Sequence, residues 1–190
     1  MSKDLFHKGR ITPGPVGWTR IAAPLVIALV AVPLVLWMRG AEALLVAAAF
    51  IVLFTALAVR EWMNQSLTFI VDPEGITVSR GGFWPARTWP AEEFRTVQIR
   101  RIPGDQVGTQ VGGFGLRRGR VLRAQMSAIE EVDGLRRLTA VDERQDAECA
   151  VTKGGRIVEV AGHRGRSFLL SPVDPDAAAH TLAQVIRAKR

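Results

Sequence analysis

An α+β membrane-anchored fold is predicted: a transmembrane helical hairpin over residues 21–62, then a small β-barrel or sandwich of about seven strands that ends in an α-helix, residues 63–190. Three observations predict it. Two long uncharged runs lie close together near the N-terminus. Short apolar–polar alternations divided by turn residues follow them, and the final stretch repeats apolar residues at helical spacing. The composition fits such a division. Hydrophobic residues make up 48% of the chain, yet charged residues still reach 23%, so the two kinds must be segregated along the sequence.

The first run, Ile21 to Met38, has no charged residue. At about 1.5 Å per residue it spans roughly 27 Å, close to the hydrocarbon thickness of a bilayer. Pro24 and Pro33 interrupt it, which is tolerated where no water competes for the freed carbonyls. After the break Arg39-Gly40-Ala41-Glu42, a second uncharged run extends from Ala43 to Val59. Trp18, Trp37 and Trp62 lie near three of the four helix ends, at the depth that amphipathic rings prefer. So short a connection makes the two helices antiparallel. Ala41-Glu42-Ala43 resembles a signal-peptide cleavage site, but the first run is longer than an ordinary signal core and a second span follows at once. Neither span contains an ionisable side chain, which points to an anchor rather than an ion path.

Charge sets the expected orientation. Residues 1–20 carry Lys3, Lys8, Arg10 and Arg20 against Asp4, and Arg60 follows the second run, while the connection has only Arg39. The positive-inside rule then leaves 1–20 as a cytoplasmic N-terminal tail and places both termini in the cytoplasm of a plasma membrane.

Beyond Trp62, Leu67–Val71 reads as a strand, Asp72–Gly75 as a turn, and Ile76–Ser79 as the returning strand. Gly81-Gly82 breaks the pattern before a third candidate, Phe83–Trp89. Next comes Phe94–Ile102, with Phe94, Val97, Ile99 and Ile102 expected to face inward. Further candidates are Val121–Ala124, Leu135–Val141, Cys149–Thr152, Ile157–Val160 and Ser167–Leu170, with Lys153–Arg156 as a hairpin turn. At the end, Asp174 can cap a helix that Pro175 opens, with Ala178, Leu182, Val185 and Ile186 on one face. Strands followed by one amphipathic helix is the order of a pleckstrin-homology-like (PH-like) barrel, where the last helix plugs an open end.

Several motifs carry a family resemblance. They are Val71-Asp-Pro-Glu-Gly-Ile-Thr-Val78, Trp89-Pro-Ala-Glu-Glu-Phe94, Gly112-Gly-Phe-Gly-Leu-Arg117 and Gly165-Arg-Ser-Phe-Leu-Leu-Ser171. On these the chain resembles a group of small, actinobacterial-type membrane proteins that join transmembrane helices to a PH-like domain. The group's glycine-rich stretch commonly reads Gly-Gly-Trp-Gly-Ile-Arg, so Phe114 and Leu116 are conservative departures. Residues 118–146 look like an insertion that the pattern does not account for. The resemblance implies a fold and a bacterial plasma-membrane address, and hardly any activity.

Chemical motifs are sparse. Gly112–Gly119 lacks the Gly-Lys-Ser/Thr ending of a phosphate loop. One reading makes it a flexible loop whose backbone amides, with Arg117, Arg118, Arg120 and Arg123, contact an anionic headgroup or a partner. The blander reading, which is favoured, is a tight turn with solvated arginines. Arg100-Arg101 and Arg136-Arg137 can each add only one side chain to any one face of a strand. His7, His163 and His180 have no partner at ligand spacing, so no metal or other cofactor is expected. The single cysteine, Cys149, reads as a small buried hydrophobe. Glu92-Glu93 reads as a surface pair. No catalytic set can be assembled. The expectation is a non-enzymatic membrane-anchored module that mediates protein–lipid or protein–protein contacts. The alternatives are a tethered nucleic-acid-binding domain, encouraged by a pI near 10.9, or an accessory subunit of a membrane enzyme.

Overall fold

Strand structure begins earlier than the sequence predicts. The computed structural model describes residues 5–84, 87–122, 129–130 and 144–189. Within them His7–Ile11 forms β1, which pairs antiparallel with β2, Leu67–Asp72, from His7↔Val71 to Ile11↔Leu67. The stretch expected as a free tail is therefore the outer strand of a sheet. It covers the edge of β2, and its last residue, Ile11, is buried in the core.

Between these two neighbouring strands the chain makes its helical excursion: α1, Pro15–Arg39, a 3-10 turn, Gly40–Ala43, and α2, Leu44–Gln65. Pro15 opens α1, where its missing N–H has no cost. The expected break between two separate helices is not a loop. Gly40–Ala43 stays helical, so Pro15–Gln65 is one helical segment, and it is long and apolar enough to cross a membrane. Its most apolar window has a mean hydropathy of 2.6, and only 6% of that window is buried. The segment nonetheless changes direction at Gly40, whose φ of 63° only glycine adopts easily. A Cβ on Gly17 would stand 2.9 Å from Oε1 of Gln65, although a straight helix would separate the two by about 70 Å. The segment thus begins and ends at one place.

The first sheet has the order β1-β2-β3-β4, with β3 at Gly75–Arg80 and β4 at Arg87–Pro90. The predicted turn holds: the Asp72 carboxylate accepts the Glu74 and Gly75 amides at 2.9 and 3.0 Å. Gly75 is obligatory there, because a Cβ would sit 2.0 Å from the Trp89 carbonyl oxygen. Of the third predicted strand, Phe83–Trp89, the end lies in β4, Phe83 and Trp84 lie in a turn, and residues 85–86 are outside the described residues. Gly81 and Gly82 both turn through positive φ and leave Phe83 and Trp84 exposed.

The second sheet contains β5 (Phe94–Ile102), β6 (Gly115–Leu122), β7 (Ile129–Glu130), β8 (Arg144–Val151), β9 (Gly155–Gly162) and β10 (Ser167–Leu170). Its order is β6-β8-β10-β9-β5-β7, with β8 and β10 parallel and the remaining pairs antiparallel. The described residues form ten strands in two sheets, where about seven strands are expected. Both ends of the presumed insertion at 118–146 are strand, since Leu122 pairs with Arg144 and Arg118 with Glu148. The predicted strand Leu135–Val141 lies outside the described residues.

Both sheets and α4, Pro175–Ala188, share one apolar core. Asp174 caps α4 by accepting the Ala177 amide, and Ala178, Leu182, Val185 and Ile186 are buried as expected. On β5, Phe94, Val97 and Ile99 all reach this core, because an irregularity in register between Phe94 and Thr96 shifts the alternation. Ile102 does not join them. It packs in a smaller cluster on the other face with Val107, Val111, Cys149, Ile157 and Leu169, where a short helix α3, Val107–Gln110, lies.

Candidate functional site

The predicted arginine group is divided by strand geometry. Gly112–Gly119 is not a flexible loop, because its second half is β6. On a strand, Arg117 and Arg118 point to opposite faces. Arg117 stands opposite Cys149 and leans over Gly112, Gly113 and Gly119. Arg118 turns to the other face and donates to the Glu148 carboxylate from Nε at 3.0 Å and Nη2 at 2.6 Å. Arg120 has its backbone in β6, opposite Asp146. Arg123 lies outside the described residues, as does Arg136-Arg137. The glycine run has a different cause. Gly115 passes under the end of α2, where a Cβ would lie 2.7 Å from the Asn64 carbonyl oxygen.

Glu148 is itself a junction. Buried on β8, it accepts Trp89 Nε1 at 2.6 Å, binds Arg118, and faces Arg87 Nε at 3.3 Å. One carboxylate thereby ties β4 of the first sheet to β6 and β8 of the second. The opposite face of the second sheet holds another buried set, in which Gln98 Nε2 donates to Glu159 Oε2 at 2.9 Å and Arg100 lies 3.8 Å from the same oxygen. Arg101, its neighbour, is exposed. Cys149 is fully buried nearby, and burial raises its thiol from 9.0 to about 11, so it stays protonated at neutral pH. Glu93 pairs with Arg166, and Glu92 projects into solvent near Lys189. His163 and His180 are exposed, and His7 packs on Phe69. Among the described residues no group of three His, Cys, Asp or Glu is placed to hold a metal.

A different basic group does come together, at the root of the helical segment. A cleft of about 650 Å³ opens between the last turns of α2, the first turns of α1, the end of β3 and the entry to β6. Arg20, Arg60 and Arg80 line it together with Glu61, Gln65, Trp84 and Phe114. The Arg20 guanidinium lies 5.4 Å from the Phe114 ring centroid, within cation–π range. Among the described residues no carboxylate pairs with any of these three arginines. That separates them from Arg87, Arg100, Arg118, Arg156 and Arg166, each of which has an acidic partner. Two polar atoms at the cleft are buried without a hydrogen bond: Nε of Arg80 and Oε1 of Gln65.

Sequence reading did not assemble this group. Arg20 and Arg60 are visible as the charges that bound the apolar runs, but Arg80 and Trp84 reach them only through the pairing of β2 with β3. Comparison with family models, curated proteins and solved structures gives no match.

Proposed function

We propose that the helical segment crosses a bilayer twice and holds the two-sheet domain against the membrane as a non-enzymatic module for lipid or protein contacts. One observation carries the reading. The segment leaves β1 at Ile11 and returns to β2 at Leu67, which are paired residues on adjacent strands, and its apolar surface is left uncovered. A chain that departs and returns at one point crosses a membrane an even number of times. At about 37 Å for α1 and 33 Å for α2, each helix is long enough for one passage. Trp18 and Trp37 stand about 28 Å apart along α1, at a spacing suited to the two interfaces.

Orientation follows from the root. Arg20, Arg60 and Arg80 cluster there, whereas Arg39 alone is near the tip, so the domain faces the cytoplasm. The PH-like reading of the domain is supported by α4, which closes the core between the two sheets; the ten strands among the described residues and the parallel β8–β10 pair depart from it. The test is accessibility in a Cys149→Ala background. A cysteine replacing Glu42 should react with an impermeant maleimide in intact cells, and one replacing Asp105 only after permeabilisation. Recovery of the full chain in the soluble fraction would sink the anchor, and the reverse labelling pattern would invert the topology.

A further inference from the structure

Resting on the reading that the helices enter a bilayer, we infer that the cleft at their root binds the headgroup of an anionic phospholipid. The ligand class follows from four properties of the site. Among the described residues no carboxylate pairs with its three arginines, and with Glu61 as the one acidic residue lining it there the cleft has a formal charge of +2. Guanidinium groups bind phosphate oxygens through paired N–H donors, and Arg80 Nε is a buried donor with nothing to donate to. Such a group is costly to leave unmet, and an incoming phosphate would satisfy it.

Depth is the second property. The same walls that carry the arginines carry Trp84, half-exposed, and Phe114, and they lie where Trp18 and Trp62 leave the apolar segment. Headgroup phosphates lie at this level. The third is the helix ends: α1 begins and α2 finishes here, so their dipoles oppose one another and leave the arginine charge to dominate. The fourth is Gln65, 1% exposed, whose Oε1 lines the cleft without a donor. It suits a headgroup that carries a hydroxyl as well as a phosphate, such as phosphatidylglycerol, rather than a choline.

The experiment is native mass spectrometry of the full chain in mild detergent, titrated with phosphatidylglycerol or phosphatidylcholine. Phosphatidylglycerol should bind at least about tenfold more tightly. Arg80→Gln should remove most of that preference, while Arg39→Gln at the far end of the helices leaves it intact. Trp84→Ala, at an exposed turn position, should weaken binding too and keeps the test open should Arg80→Gln fail to fold. Equal binding of the two lipids, or a preference unmoved by both root variants, overturns the inference. Competition by glycerol 3-phosphate or inorganic phosphate over the same concentration range assigns the cleft to a soluble phosphate and overturns its lipid half. The anchor stands or falls separately: a chain that labels as a membrane protein yet shows no lipid preference refutes only the headgroup site, whereas a soluble chain that retains phosphatidylglycerol refutes only the anchor.

Discussion

Leu29 on α1 is 75% exposed and Leu45 on α2 is 85% exposed, while Leu67, Leu169, Leu170 and Leu182 in the sheet domain are at most 1% exposed. The side chain is the same, and only its surroundings differ. Withdrawing a leucine from water is worth about 1.5–3 kcal/mol. The sheet domain collects that energy internally, through a core that both sheets and α4 share. The helical segment collects almost none of it from the protein. Its apolar surface is left uncovered, and two of its arginines, Arg20 and Arg60, gather with Arg80 of β3 at its root.

Five variants and one titration can break or sharpen this contrast. Phe168, buried against Trp89 and Phe94, should lose about 3–5 kcal/mol on replacement by alanine. Leu45→Ala in the same unfolding assay should change the sheet domain by under about 0.5 kcal/mol; a comparable loss would mean that the helix surface is covered after all. Next, Ile11→Ala should cost about 2–5 kcal/mol in chemical denaturation, because the N-terminal strand belongs to the core and is not a tail. A change near zero would return residues 7–11 to the tail.

Trp89→Phe keeps an aromatic ring but removes the donor to buried Glu148, so thermal melts should report about 1–3 kcal/mol of destabilisation. Cys149 should make the domain sensitive to alkaline pH. Its folded value lies above the unfolded one, so its contribution is complete below pH 9 and is lost as pH rises toward about 11. Melting temperature should therefore fall over that window more steeply than in Cys149→Ala, and parallel slopes would show that the thiol is not buried. Among the polar contacts, Asp176→Asn should cost least. Its pair with Arg156, at 2.7 Å, is exposed, and loss of under about 1 kcal/mol is expected in the same melts.

Much of the fold is legible in the sequence. The two uncharged runs, the Asp72–Gly75 turn, the strand Phe94–Ile102 and the capped C-terminal helix all follow from local rules, because period, turn chemistry and capping act within a few residues. The misses share a cause. His7–Ile11 is too short and too polar to signal a strand, and it becomes one because β2 offers an open edge sixty residues later in the chain. Gly112–Gly119 reads as a tight turn or a flexible loop, since glycine marks turns and flexibility as readily as close approach, and only the position of Asn64 decides. Proximity in sequence sets Arg117 beside Arg118, although a strand sends their side chains apart.

By itself, then, the sequence determined the apolar segment, the β character of the domain and the helix that closes it, for these depend on the order of neighbouring side chains. Tertiary structure alone decided that the segment departs from and returns to adjacent strands. It also decided that Glu148 joins the two sheets, and that Arg20, Arg60 and Arg80 line one cleft. Those outcomes depend on strand pairing between distant residues, and pairing partners are chosen by the whole core rather than by any stretch of it.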